Sequence, residues 1–250
     1  MATVQQKTPA QIDVMRSGGK MLAKVLKLMA QSTVAGITPK ELSAIAASKI
    51  KELGGHPETL GYHGFPDVIC ISVNDQVQHT IPDSRPLQNG DVVNYDFVVR
   101  YKGMVTDAGI TVGVGPLSPA ATRLLKGTKE ALSRGIEAVH DGVRVGDISN
   151  VIEDTLRKYR LGIVHELVGH GVGHEMHEDP EIPNYGSSGT GPTLHTGMTV
   201  AIEPIANLGS PAIKSDPDGW TLWTVDGSQS AQFEHTVVVT DDGCEILTQL

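Results

Sequence analysis

The chain has 250 residues, a formal net charge of −9 and 39% hydrophobic residues. That is enough for a large buried core, and too acidic for an electrostatic footprint on nucleic acid or an anionic membrane surface. No apolar run approaches the ~18 residues of a membrane span, and the opening MATVQQKTPAQIDVM is too polar for a secretory segment. Cys70 and Cys244 stand far apart and form no disulfide or zinc-finger pattern, so a reducing cytoplasm is the expected setting.

In chain order, Ile12, Met15, Met21, Leu22, Val25, Leu28 and Met29 repeat with helical spacing and predict a helix from about Pro9 to Gln31. Gly36-Ile37-Thr38-Pro39-Lys40-Glu41 reads as a helix start, with Thr38 as N-cap, Pro39 at N1 and Glu41 closing a capping box. Leu42, Ile45 and Ile50 supply its apolar stripe, and Gly54-Gly55 ends it. From Val68 the pattern turns to strands. Val92 to Val99 and Met104 to Val114 are rich in β-branched residues, with Lys102-Gly103 as a tight turn between them. Ser118-Pro119 starts a helix to about Val139. Asp147 is expected to cap another, striped by Ile148, Val151 and Leu156. Strands and loops follow from Ile163, among them Thr199 to Glu203, Gln232 to Thr240 and Glu245 to Leu247.

At an offset of 106 residues, Gly36 meets Gly142, Leu42 meets Ile148, Ile45 meets Val151 and Ile50 meets Leu156. This weak repeat suggests two similar α+β halves rather than alternating βαβ units. No linker separates them, so a single domain over 1–250 is expected, with residues 1–8 as a short flexible segment.

Four carboxylates fall inside apolar, strand-like runs: Asp96 in NYDFVV, Asp107 in MVTDAGITV, Glu203 in TVAIEPI and Glu234 in QFEHTVVV. Any one alone would usually be a solvated strand position. Buried together as anions, they would cost several kcal/mol each unless neutralised. Few basic residues lie nearby, so divalent cations are the economical partner. A two-residue turn at Lys102-Gly103 pairs Tyr101 with Met104 and sets Asp96 opposite Gly109. Asp107 then lies one diagonal step from Asp96 on the same sheet face.

Four of the ten histidines fall between His165 and His177, in HELVGHGVGHEMH. The H-E-x-x-H zinc pattern fails, because no second histidine is correctly spaced and Gly169, Gly171 and Gly173 disfavour a helix. The segment Gly169 to His174 reads as extended, with His170 and His174 on one face. One histidine with four carboxylates suits Mn, Fe, Co or Zn in a two-metal site, the ions ~3.5–4 Å apart.

Asp96, Asp107, His170, Glu203 and Glu234, in the contexts NYD, TDAGIT, GHGVG, IEP and FEH, resemble the metal ligands of the methionine aminopeptidases, type I. The resemblance extends through GYHGFP at 61–66, VQHTIPD at 77–83, HEMHEDPEIPNYG at 174–186, LHTGMTVAIEP at 194–204, DGWT at 218–221 and SAQFEHTVVVT at 230–240. It implies a pseudo-twofold pita-bread α+β fold, with helices covering an antiparallel sheet. It also implies two divalent ions, with Asp107 and Glu234 bridging, Asp96 completing one shell, and His170 with Glu203 the other. A water or hydroxide between the ions would attack the first peptide bond. Glu203 would shuttle its proton, His177 would polarise the scissile carbonyl, and His79 would assist at the scissile amide. The free α-amine would sit beside the metal nearer Asp96.

By the same resemblance Tyr62, His63, Phe65, Cys70 and Trp220 line the methionine pocket, with Thr59 and Met176 nearby, and the second substrate residue is small. His165 and His174 are left structural or solvent-facing. His235 is either a support beside its neighbouring ligand or an ordinary strand residue. Thr80 replaces a glycine common in the family and is expected to add bulk near the second substrate residue. The partners implied are N-termini of nascent polypeptides, met transiently at the ribosome, with no nucleic acid or membrane and a monomeric chain. The competing readings are an X-prolyl exopeptidase, which usually carries a further N-terminal domain, and a non-catalytic binding relative, which typically loses ligands.

Overall fold

The computed structural model describes residues 6–250. The first half runs through α1 (Pro9–Ser32), α2 (Pro39–Leu53), β1 (His56–Pro57), β2 (Cys70–Val73), β3 (Gln76–Gln78), β4 (Val92–Tyr101) and β5 (Met104–Gly113). The second has α3 (Pro119–Glu137), α4 (Val145–Lys158), β6 (Gly162–Ile163), β7 (Gly169–Gly171), β8 (Glu178–Ile182), β9 (Thr199–Ile202) and β10 (Ile205–Asn207). It closes with β11 (Ile213–Ser215), β12 (Leu222–Thr224), β13 (Ser230–Gln232), β14 (His235–Thr240) and β15 (Gly243–Ile246).

The local signals act as expected at most helix ends. Thr38 and Glu41 form the capping box of α2, and Gly54 ends that helix in the left-handed region. Thr8 and Gln11 form the corresponding box on α1, while Ser118 caps α3. Asp147 is not a cap: Arg144 occupies that position, and Asp147 sits at N3, accepting hydrogen bonds from the backbone of Arg144 and Gly189 and from the Ser188 hydroxyl. Its charge still lies in the first turn, where it favours the helix. Of the segment expected to be flexible, residues 1–5 lie outside the described residues. The remainder is anchored, with Lys7 ion-paired to Glu178 and its backbone amide donating to Gly197.

The repeat is real at the level of elements. The two helix pairs have the same layout: α2 starts three residues after Gly36, and α4 three after Gly142, and both glycines have positive φ. In the first half β4 is paired by β1, β2 and β5. In the second the order is β15-β14-β9-β7-β8, while two three-stranded sheets, β13-β10-β6 and β11-β12-β3, complete the molecule. All the strand pairs are antiparallel.

Strand parity divides the residues between core and site. Val93, Tyr95, Phe97 and Val99 of β4 pack outward against Leu22, Val25, Met29, Leu42 and Ile50 of α1 and α2. Val200 and Ile202 of β9, with Val237 and Val239 of β14, do the same beneath Leu124, Leu132, Ile148, Ile152 and Leu156 of α3 and α4. Each such side chain contributes about 1.5–3 kcal/mol by leaving water. Because side chains alternate, Asn94, Asp96 and Val98 are turned to the opposite face, as are Asp107 and Gly109 on β5.

The halves are sutured through these inner faces. Thr236 Oγ1 accepts from Asp107 N at 2.9 Å and donates to Asp107 O at 2.7 Å. Thr111 Oγ1 makes the same pair of bonds with the backbone of Gln232, at 3.0 and 2.6 Å. The backbone amide of Glu234 donates to Gly109 O at 2.8 Å.

Candidate metal centre and substrate pocket

The β4–β5 register matches the expectation: Tyr101 pairs with Met104, Asp96 with Gly109 and Val98 with Asp107. Asp96 and Asp107 are therefore diagonal neighbours on one face. Glu203 follows the last residue of β9. Glu234 lies in the two-residue break between β13 and β14, which interrupts what the sequence suggested was one strand from Gln232 to Thr240. His170 comes from β7, opposite Ala201.

All five converge on one cavity of about 130 Å³, together with Thr59, Tyr62, Phe65, Cys70, His79, Val98, Met176, His177 and Trp220. Asp107, His170, Glu203 and Glu234 are buried, and Asp96 is half-buried. Ligand atoms of Asp107, His170 and Glu234 lie within 4.8 Å of one another. Among the described residues, no ion pair brings a lysine or arginine to any of the four acids.

With only protein groups to respond to, all four carboxyls are pushed upward. Burial is the foremost cause in each. The neighbouring charges add to it at Asp107, Glu203 and Glu234, while hydrogen bonds from Asp107 and Gln78 restrain Asp96, which reaches about 6.

The tautomer of His170 tests whether cations fit. Its Nδ1 lies 2.9 Å from Gly171 O, a group that only accepts, so the ring proton is on Nδ1. The lone pair of Nε2 then faces Glu203 Oε1 at 3.6 Å and Asp107 Oδ2 at 3.9 Å. Burial and the neighbouring His177 push the ring down to about 4, so it is neutral near pH 7. A lone pair aimed at carboxylate oxygens is repelled unless a proton or a metal cation lies between. Asp107 Oδ1 and Glu234 Oε1 are also buried without a hydrogen-bond partner. The donor set fits divalent cations.

Of the residues assigned to the pocket, Tyr62, Phe65, Cys70 and Trp220 line this cavity. Phe65 and Trp220 meet edge to face with ring centroids 5.2 Å apart. Cys70 is buried opposite Asp96, and burial followed by the charges of Asp96 and Asp107 pushes its thiol far up. It is therefore a soft apolar wall rather than a nucleophile. Tyr62 packs near His177, its hydroxyl 2.8 Å from Nδ1. His63 is not part of the cavity wall. It is exposed, with positive φ, and lies against the edge of Tyr62 at 4.4 Å. His79 lines the cavity, and burial with its neighbour His177 pushes it down to about 4. His177 stands at the exposed mouth and is also pushed down, first by burial and then by His63.

The other histidines resolve separately. His174 does not share a face with His170, because β7 stops at Gly171 and His174 turns to Gln11 and Glu178. His165 stacks on Tyr185 at 4.1 Å, and His235 bonds Thr248 at 2.9 Å. Thr80 is buried, does not line the cavity, and its hydroxyl accepts from Ser72 at 3.0 Å. Sequence reading missed Val98 and Gln232. Both lie two residues from a ligand on an extended segment, and that spacing is the signal which could have found them.

The sequence profile of metallopeptidase family M24 matches residues 13–241. The methionine aminopeptidase of Clostridium perfringens is 44% identical over 242 residues, 97% of each chain. Methionine aminopeptidase 1 of Bacillus subtilis is 41% identical over 98% of each. The crystal structure of a methionine aminopeptidase from Thermotoga maritima superposes with a TM-score of 0.98 at 38% identity, covering 99% of this chain and 100% of that one. The prolidase of Pyrococcus furiosus shares the pita-bread fold, with a TM-score of 0.79 at 21% identity over 98% of this chain and 65% of its own.

Proposed function

We propose, from the premise that the chain belongs to metallopeptidase family M24, that it removes the N-terminal methionine of peptides and nascent proteins whose second residue is small. Asp96, Asp107, His170, Glu203 and Glu234 hold two divalent ions in this reading. The observation that carries it is the His170 lone pair directed at Glu203 and Asp107 inside a buried acidic cluster with unpartnered oxygens. When bound, such ions supply Lewis acidity and a water of lowered pKa.

The chain's own groups supply binding, orientation and proton transfer. Tyr62, Phe65, Cys70, Met176 and Trp220 enclose the methionine side chain, whose thioether packs well on aromatic edges and soft groups. Asp96, half-buried beside them, sets negative charge where a free α-amine enters, which favours a chain terminus over an internal residue. Glu203 takes the proton of the attacking water and returns it to the leaving amine. A Tyr62 hydroxyl that donates to Nδ1 leaves the His177 proton on Nε2, and that N–H polarises the scissile carbonyl and steadies the oxyanion. His79, held neutral by burial, hydrogen-bonds the scissile amide. The enzyme acts as a monomer in the cytoplasm, transiently at the ribosome.

Metal-stripped protein should release methionine from Met-Ala-Ser only after Co(II) or Mn(II) is restored, and should leave Leu-Ala-Ser and Ala-Pro largely intact. Asp107→Asn should abolish both release and stoichiometric metal uptake. Near-normal turnover by that variant, or preferred cleavage before proline, would defeat the proposal.

A further inference from the structure

Gln232 is fully buried at the seam between the halves. Its Nε2 donates to Glu234 Oε2 at 3.1 Å and to Glu203 Oε2 at 3.3 Å. Its Oε1 accepts from Asn94 Nδ2 at 3.0 Å. The amide has only one consistent orientation, since carboxylates accept and the Asn94 nitrogen donates. Its backbone is clamped separately by the Thr111 hydroxyl.

We propose that Gln232 is a positioning residue that prepares Glu203 and Glu234 to bind metal, an inference that rests on the metal-centre reading above. Each acid has one oxygen held by the amide. The other is presented: Glu203 Oε1 stands 3.6 Å from His170 Nε2, and Glu234 Oε1 is buried without a partner. A lysine or arginine in this place would orient the acids too, but would neutralise them and compete with the cations. A neutral amide fixes their geometry while leaving the full negative charge. Asn94, reaching across from β4, prevents the amide from flipping and so couples the first half to two ligands of the second.

The test is calorimetric titration of chelator-stripped protein with Co(II), which reads binding without turnover. Gln232→Met keeps the bulk and removes the donors, and its affinity should fall about 10- to 100-fold. Asn94→Ala frees the amide to rotate and should give a smaller loss, and it carries the test should the methionine variant not fold. Thr111→Val removes the backbone clamp and a single long bond to Asn94 Nδ2 at 3.3 Å, leaving the Asn94–Gln232 and Gln232–carboxylate bonds in place, so it should lower the melting temperature and cost clearly less affinity than Gln232→Met. Unchanged affinity in both Gln232→Met and Asn94→Ala overturns the proposal, as does an equal loss in Thr111→Val. If the parent protein takes up no Co(II), the metal-centre reading itself fails, which is a distinct result.

Discussion

In the proposed mechanism His79 serves as an uncharged ring. Burial, then the nearby His177, pushes it from the ordinary 6.5 to about 4. The unfolded chain therefore takes up this proton first as pH falls. The linked stability is fully present above about pH 6.5 and is lost as pH falls toward about 4. In chelator, the parent protein should lose on the order of 1–2 kcal/mol more than His79→Gln between pH 7 and pH 5, judged from urea midpoints. Parallel curves for the two proteins would show that His79 titrates normally. The same substitution at pH 7 removes a group able to serve the scissile amide, so slower turnover with unchanged metal content should accompany it.

At the scale of elements, β5 must lie close to the β13–β14 break for the site to exist. A Cβ on Gly109 would come 2.4 Å from Gln232 Oε1. Gly109→Ala should therefore displace the Gln232 amide, destabilise the fold by roughly 1–3 kcal/mol, and weaken Co(II) uptake. Melting curves and calorimetry on one preparation would read both, and an alanine variant with parental affinity would contradict the close approach. The legibility of the sequence follows the same contacts. The β4–β5 ladder could be written down in advance because Lys102-Gly103 fixes a two-residue loop and alternation then fixes every facing pair. The helix starts at Thr38 and Ser118 were legible for the equally local reason that a cap is a short-range hydrogen bond. Arg144 displaced Asp147 as cap because tertiary bonds from Val145 to Pro192 and from Gly146 to Thr190 fix where α4 begins. The break at Phe233–Glu234 was invisible for a similar reason, since Glu234 bonds Gly109 across the seam instead of continuing a ladder. His63 and Thr80 were assigned from motif position, and their final directions depend on a local left-handed turn and on Ser72. The four acids proposed as ligands stood out because an acid at an inward position of an apolar strand is costly enough to require a reason, whereas His170 was singled out among its neighbouring histidines only by the family resemblance.

The whole molecule concentrates that cost at one place. Each half is a helix pair over a sheet, and each sends acids to the common inner face: Asp96 and Asp107 from one, Glu203 and Glu234 from the other. The sutures at Asp107–Thr236, Thr111–Gln232 and Gly109–Glu234 pull the halves together where these charges repel one another. Divalent cations bound there stabilise only the closed arrangement, because the unfolded chain scatters their ligands. A single site filled at 100 times its dissociation constant adds about 2.7 kcal/mol. For a chain of this size that corresponds to roughly 5–10 °C in melting temperature. Removing metal with a chelator should lower the melting temperature by that order, and Co(II) or Mn(II) should restore it in proportion to occupancy. Hydrogen exchange should locate the effect: amides of β5, β13 and β14 should exchange faster in the stripped protein, while those of α1 and α4, packed on the outer faces, should change little. Uniform acceleration would mean that the ions stabilise the fold without acting at the seam. An unchanged melting temperature after complete stripping would mean that the acids carry their own protons and that no cation is needed to close the two halves.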